Sequence, residues 1–191
     1  MRIVAYQTQI NDGRVLLRES TGESVHSNRL DELFGFLLEP YDNCIKVCWD
    51  LDATVSVILK LLGTSACRQL WQMKRYNGRP FSIFYVPAKV FSVSHVSGLR
   101  CNLYGIDQYY PELDEPSVEE VKALGDGLLT ELKKMGFVPT KLTSPVAIYE
   151  ECVLRKLSLP RVKDMPVEVA EMAWRCSGRL WIESHQLGDF K

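Results

Sequence analysis

The sequence predicts a mixed α/β domain followed by a small helical extension, and three observations carry that expectation. Apolar runs of strand length, residues 2–9 and 43–49, sit between turn-forming residues. Apolar residues at helical spacing fill other stretches, as in Val55, Ile58, Leu59 and Leu62. From residue 137 onward the texture changes, with Pro139, Pro145, Pro160 and Pro166 breaking the chain into short pieces. The expected boundaries are therefore 1–136 for the main domain and 137–191 for the extension. A chain of 191 residues is long enough for one well-buried domain with such an appendage.

Taken in order, residues 2–9 form the opening strand, and its apolar start with a polar end suits a central strand that emerges at a sheet edge. Period-two geometry places Gln7 and Gln9 on one face at its C-terminal end. Asn11-Asp12-Gly13 is a tight-turn signal, and residues 14–19 return as a hairpin partner. After a turn at Thr21-Gly22-Glu23, Asn28 is placed to cap a helix with Leu30, Leu33, Phe34, Leu37 and Leu38 on one face, stopped by Pro40. A second buried strand, 43–49, runs into Asp50-Leu51-Asp52 and a helix ending at Gly63. Asp52 thus lies where a strand gives way to a helix, a position at which open α/β sheets place functional groups.

Residues 74–79 read as a basic turn containing Tyr76, and residues 81–86 and 90–94 as a hairpin about Pro87-Ala88-Lys89. Residues 99–106 form a further strand. Ser117-Val118-Glu119-Glu120 is a capping box, and the helix it opens carries Val118, Val121, Leu124, Leu128, Leu132 and Met135 before closing at Gly136. Two short helices, 145–157 and 166–175, begin with proline at the favoured first position, and a strand at 179–183 follows.

The formal net charge of −1 gives no global field for nucleic acid, so any such surface must be local. Cys44, Cys48, Cys67, Cys101, Cys152 and Cys176 contain no C-x-x-C pair, and no histidine lies near them at zinc spacing. Buried reduced thiols are expected. No apolar run is long enough to span a bilayer, and no leader is visible, so the chain reads as intracellular, cytoplasmic and soluble, with no membrane partner.

Several stretches together resemble the N-terminal 3′–5′ exonuclease region of protein-primed family B DNA polymerases of phages, plasmids and organelles. The strand ending Gln7-Thr8-Gln9 resembles their first exonuclease motif. Trp49-Asp50-Leu51-Asp52 resembles the second, with Asp52 at the metal-binding aspartate. Residues 85–91 are similar to the hairpin that often follows. Asp126 falls where the third motif has its aspartate, with Lys122 in place of the usual tyrosine. Ser144-Pro145 with its helix, and then residues 173–179, resemble the passage from exonuclease to polymerase, where Gly178 and Arg179 match. The resemblance implies an RNase-H-like sheet with flanking helices, a helical link toward a polymerase domain, and a role in DNA replication.

The departures decide the expected chemistry. Two-metal cleavage of a phosphodiester needs clustered anionic oxygens that hold two cations about 3.5–4 Å apart. A glutamine amide is a neutral dipole and a poor ligand for a hard cation. With Gln7 and Gln9 where acids are usual, only Asp52 and Asp126 remain as weak metal positions, and no intact catalytic set is expected. The chain then binds single-stranded DNA or serves as a scaffold toward a polymerase or replication subunit, with no cofactor. The first alternative is an active exonuclease with Mg²⁺ or Mn²⁺ and relocated acids from Asp50, Asp12 or Glu19; the second is a protein-interaction module. Lys74, Arg75, Arg79 and Lys89, interleaved with Tyr76 and Tyr85, are the candidate nucleic-acid contacts through phosphate pairing and base stacking. Each has a plainer reading: Asp52 as a helix cap, Asp126 as a solvated acid, and the cations as guards of a sheet edge.

Overall fold

The computed structural model describes residues 2–39, 44–136, 139, 141–142, 144–149, 166–169 and 171–172. The chain divides into two compact units, Met1–Tyr149 and Glu150–Lys191. In the second, residues 167–169 and 171–172 have helical backbone, within the expected 166–175 helix. The expected strand at 179–183 and the 173–179 passage lie outside the described residues.

The first unit is built on an eight-stranded mixed sheet. Its strands are β1 (Arg2–Asn11), β2 (Arg14–Glu19), β3 (Ser24–Ser27), β4 (Cys44–Cys48), β5 (Arg75–Asn77), β6 (Phe81–Val86), β7 (Val90–His95) and β8 (Arg100–Gly105). The spatial order is β3-β2-β1-β4-β8-β7-β6-β5. β1, β4 and β8 run parallel at the centre, and antiparallel hairpins flank them on both sides. The helices are α1 (Leu30–Leu38), α2 (Leu51–Leu59), α3 (Thr64–Met73), α4 (Val118–Lys134) and α5 (Pro145–Tyr149).

The β1–β2 turn follows from its sequence. Asp12 and Gly13 both take positive φ, 51° and 72°, as a two-residue hairpin requires. The parallel strands need crossovers, and α1 and α2 supply them. Both faces of the centre are covered, so residues 3–6 of β1 and all of β4 but Lys46 are apolar. Val4, Tyr6, Leu17, Phe34, Leu37, Val55, Ile58, Phe91 and Leu103 form the core on one face. On the other, α4 packs on β1, with Gly125 against Ile3 and Val118, Val121, Leu129 and Leu132 buried.

A polar group is folded into the first core. Glu19 is buried, and its carboxylate accepts hydrogen bonds from the Tyr6 hydroxyl at 3.1 Å and the Thr21 hydroxyl at 2.7 Å. Burial first, and then the Glu19 charge, push the Tyr6 hydroxyl far above its ordinary pKa, so it stays a donor. Lys46, also buried, donates to the carbonyls of Leu37 and Glu39 and so satisfies the C-terminal end of α1.

Four expectations need correction. Asn28 does not cap α1. The N-cap is Arg29, whose side chain makes no capping bond, and Ser27 Oγ instead accepts from the Arg29 amide while donating to Glu32. The apolar stripe of α4 runs through 118, 121, 125, 129 and 132, so Leu124 and Leu128 lie beside it and Met135 is exposed. Residues 75–77 of the expected turn pair with β6 as a strand. Neither β3 nor α3 is expected from the sequence: β3 is four residues of mixed polarity, and α3 buries only Ala66 and Leu70.

Candidate functional site

The C-terminal ends of the three parallel strands define one edge. β1 pairs with β4 as far as Tyr6 opposite Cys48, and beyond that point only β2 accompanies it. Gln7 and Gln9 therefore stay paired with β2 alone, past the end of β4. They share the face that α4 covers, with Gln7 half-buried, Gln9 exposed, and neither amide side chain hydrogen-bonded among the described residues.

The chain departs from β4 at Trp49 and enters α2 through Asp50. Asp50, not Asp52, is the N-cap: its Oδ1 accepts from the Ala53 amide at 2.9 Å. Asp52, in the first turn, accepts from the Tyr85 hydroxyl at 2.6 Å and the Ala88 amide at 2.8 Å. It thereby ties the β6–β7 turn to the start of α2. Gln108 holds the same turn from the other direction, donating Nε2–H to the Ala88 carbonyl at 2.5 Å. Asp52→Ala should cost about 1–2 kcal/mol, the value of a charged hydrogen-bond pair reduced for exposure. The Ala88 amide should then exchange with solvent about tenfold faster or more. Unchanged exchange at Ala88 would show that Asp52 does not hold the turn.

β8 ends beside the same acids. A Cβ on Gly105 would lie 3.0 Å from the Leu51 backbone nitrogen, so glycine lets β8 approach the start of α2. The Ile106 amide donates to the carbonyls of Cys48 and Trp49, and the Asp107 amide to Trp49. Burial raises the Asp107 pKa above its ordinary 3.8, and the nearby Asp50 and Asp52 charges add to that rise. A carboxyl raised in this way binds its proton more tightly folded than unfolded. Its effect on stability is thus most favourable at low pH and declines as pH rises from about 3.8 through the folded-state value. Asp107→Asn, which keeps an acceptor oxygen for the Gln108 amide, should gain on the wild type across that window and hold the advantage above it. Parallel stability curves of the two proteins from pH 3.5 to 7 would contradict this assignment.

Asp126 is not brought to this edge. Its helix neighbour Gly125 packs on Ile3, four residues before Gln7, or about 13 Å along the strand. Its carboxylate pairs with Lys122 at 2.7 Å on the helix surface. The acid of α4 nearer the Gln7 level is Glu119, which reaches Arg18, the cross-strand partner of Gln7. Among the described residues no group of three or more His, Cys, Asp or Glu is arranged to hold a metal ion. None of their helices is long and apolar enough to cross a membrane.

The candidate nucleic-acid contacts separate into two kinds. Lys74, Arg75, Arg79 and Lys89 are exposed and make no ion pair among the described residues. The two tyrosines are not free platforms. Tyr85 is buried with its hydroxyl on Asp52, and Tyr76 packs into the core beneath Gly78. The exposed aromatics here are Phe84 on β6 and, more fully, Trp71 on α3, whose ring meets Tyr85 in a T-shaped contact at 5.8 Å.

The charge distribution along the chain bears on this region. Residues 53–106 contain seven Lys and Arg and no Asp or Glu, whereas the remainder has sixteen Lys and Arg to twenty-four acids. The near-zero net charge conceals a positive segment that forms α3 and the β5–β8 half of the sheet. By contrast, an open cavity of about 570 Å³ beside α4 is lined by Tyr110, Leu113 and Leu124 together with Asp114, Glu115 and Glu120. Comparison with family models, with curated proteins and with solved structures finds no match.

Proposed function

We propose that this chain is an exonuclease-like domain of a family B DNA polymerase or replication protein. In this reading it has lost hydrolysis and acts by binding DNA or by serving as a replication scaffold. An RNase-H-like sheet is the finer reading of the fold. It is supported by the meander β1–β2–β3, with β2 antiparallel to both neighbours, which leads through α1 to the parallel strand β4, and by β8 beside β4 in parallel, reached through α2, α3 and β5–β7. The observation that carries the functional reading is the place of Gln7 and Gln9. They lie on the central strand past the end of β4, at the same end of the sheet as the Asp50–Asp52 entry to α2, and bring no charge there.

An active enzyme with relocated acids is less well supported. Glu19 is buried on Tyr6 and Thr21, Asp50 caps α2, and Asp12 occupies a tight turn. The test is incubation of the purified chain with single-stranded oligonucleotides in Mg²⁺ or Mn²⁺, alongside binding measured over a salt series. Binding that weakens linearly in log salt, with the oligonucleotide left intact, is the expected result. Metal-dependent shortening from the 3′ end would establish the active reading. An absence of binding at low salt would leave the protein-interaction module.

A further inference from the structure

We propose that Trp71 on α3, with Arg68 three residues before it on the same helix and Lys74 at the helix C-cap, is the base-stacking platform of a single-stranded nucleic-acid site. The assignment deepens the DNA-binding reading and rests on it. Trp71 is 61% exposed, although tryptophan is costly to leave in water at that fraction. Its position is fixed rather than loose. Leu70, the preceding residue, is fully buried, and the Trp71 ring rests edge-on against Tyr85. Tyr85 is in turn locked by its hydroxyl on Asp52 and by its amide on the Lys74 carbonyl at 3.0 Å. Most of the indole is thus presented to solvent on a rigid support, as a stacking surface requires.

The charge around it selects the ligand. Arg68 precedes Trp71 by one helical turn, and Lys74 follows it by three residues at the left-handed end of α3. Both are exposed, neither makes an ion pair among the described residues, and α3 carries no acid. A cation on either side of an exposed indole suits a flexible polyanion whose bases have free π-faces. A duplex keeps its bases stacked inside and cannot offer one to Trp71. The substrate class is therefore single-stranded DNA or RNA with little sequence preference, because every base has a face to stack.

The probe is a twenty-nucleotide oligo-dT, with the corresponding duplex as a second arm. Trp71→Ala should weaken oligo-dT binding by about 5- to 150-fold. It should leave the salt slope unchanged, because an indole neutralises no phosphate. Trp71→Phe should retain most of the affinity. Arg68→Ala with Lys74→Ala should instead flatten the slope, by about 0.7 for each phosphate no longer neutralised. Duplex binding should be weaker and insensitive to Trp71→Ala. If the wild type binds oligo-dT and Trp71→Ala binds equally well, this platform is wrong while the DNA-binding reading stands. If the wild type does not bind at all, both fall. If sedimentation shows a wild-type dimer that Trp71→Ala splits without changing oligo-dT affinity, the exposed indole serves self-association and the assignment is overturned.

Discussion

Gly125→Val should destabilise the protein by about 1–3 kcal/mol, while Gly127→Ala in the same helix should stabilise it by about 0.5–1 kcal/mol. Both are interior positions of α4, where helix propensity alone favours replacing glycine. Packing reverses the sign at one of them. A Cβ at 125 would lie 2.9 Å from Cγ2 of Ile3, a fully buried β-branched side chain in the central strand with no room to turn aside. At 127 nothing lies within 4 Å. Thermal melts should show opposite shifts, at about 2–4 °C per kcal/mol for a chain of this size. Equal shifts of the two variants would mean that α4 does not lie against β1 through Gly125. The point bears on function, because α4 covers the face from which Gln7 and Gln9 project.

What the sequence could show, and what it could not, follows from the kind of signal each element carries. Segments in which one periodicity dominates are legible: β1 with its polar end, the Asp12-Gly13 hairpin, the β6–β7 pair, and α4 behind its capping box. The face of α4 reads about one position off because Gly125 has no side chain to register on an apolar stripe. It is nevertheless the point of closest approach to β1. α3 escapes notice because its outer face is exposed and only Ala66 and Leu70 are buried, so its period is faint. That faintness hides Trp71.

At the site, residue type tells what chemistry is absent but not where each side chain points. Asp50 and Asp52 both read as helix-entry acids, and only geometry divides them into a cap and a clamp on the β6–β7 turn. Tyr76 and Tyr85 look like stacking residues because aromatic rings amid cations suggest it. Strand parity places Tyr85 inward, and Gly78 covers Tyr76. Asp107 gives no motif at all and comes to the edge only because Gly105 lets β8 approach α2.

The wild type should show no rise in melting temperature with Mg²⁺ or Mn²⁺, whereas the double substitution Gln7→Asp with Gln9→Glu should. Neither change alters the backbone requirement of β1, and both nearly conserve side-chain size. Positions 7 and 9 have no side-chain hydrogen bond to lose among the described residues. The new carboxylates would join an edge where Asp107 already has a raised pKa from burial and from Asp50 and Asp52. Without metal, the added repulsion should lower stability at neutral pH, and the deficit should shrink as pH falls and the crowded acids take up protons. A divalent cation should reverse the deficit by binding the folded state alone. At a hundred times its dissociation constant the gain is about 2.7 kcal/mol, or about 5–11 °C for a chain of this size. Asp52 is the residue that limits this result, since its Oδ1 already serves Tyr85 and Ala88. Adding Tyr85→Phe to the double variant frees part of that oxygen and should strengthen the metal response. Activity is a weaker readout, because cleavage also needs a correctly placed strand. Identical metal responses in the wild type and the double variant would remove the reading of this edge as a vacated two-metal site. The Trp71 surface would then have to be explained without a nuclease ancestry.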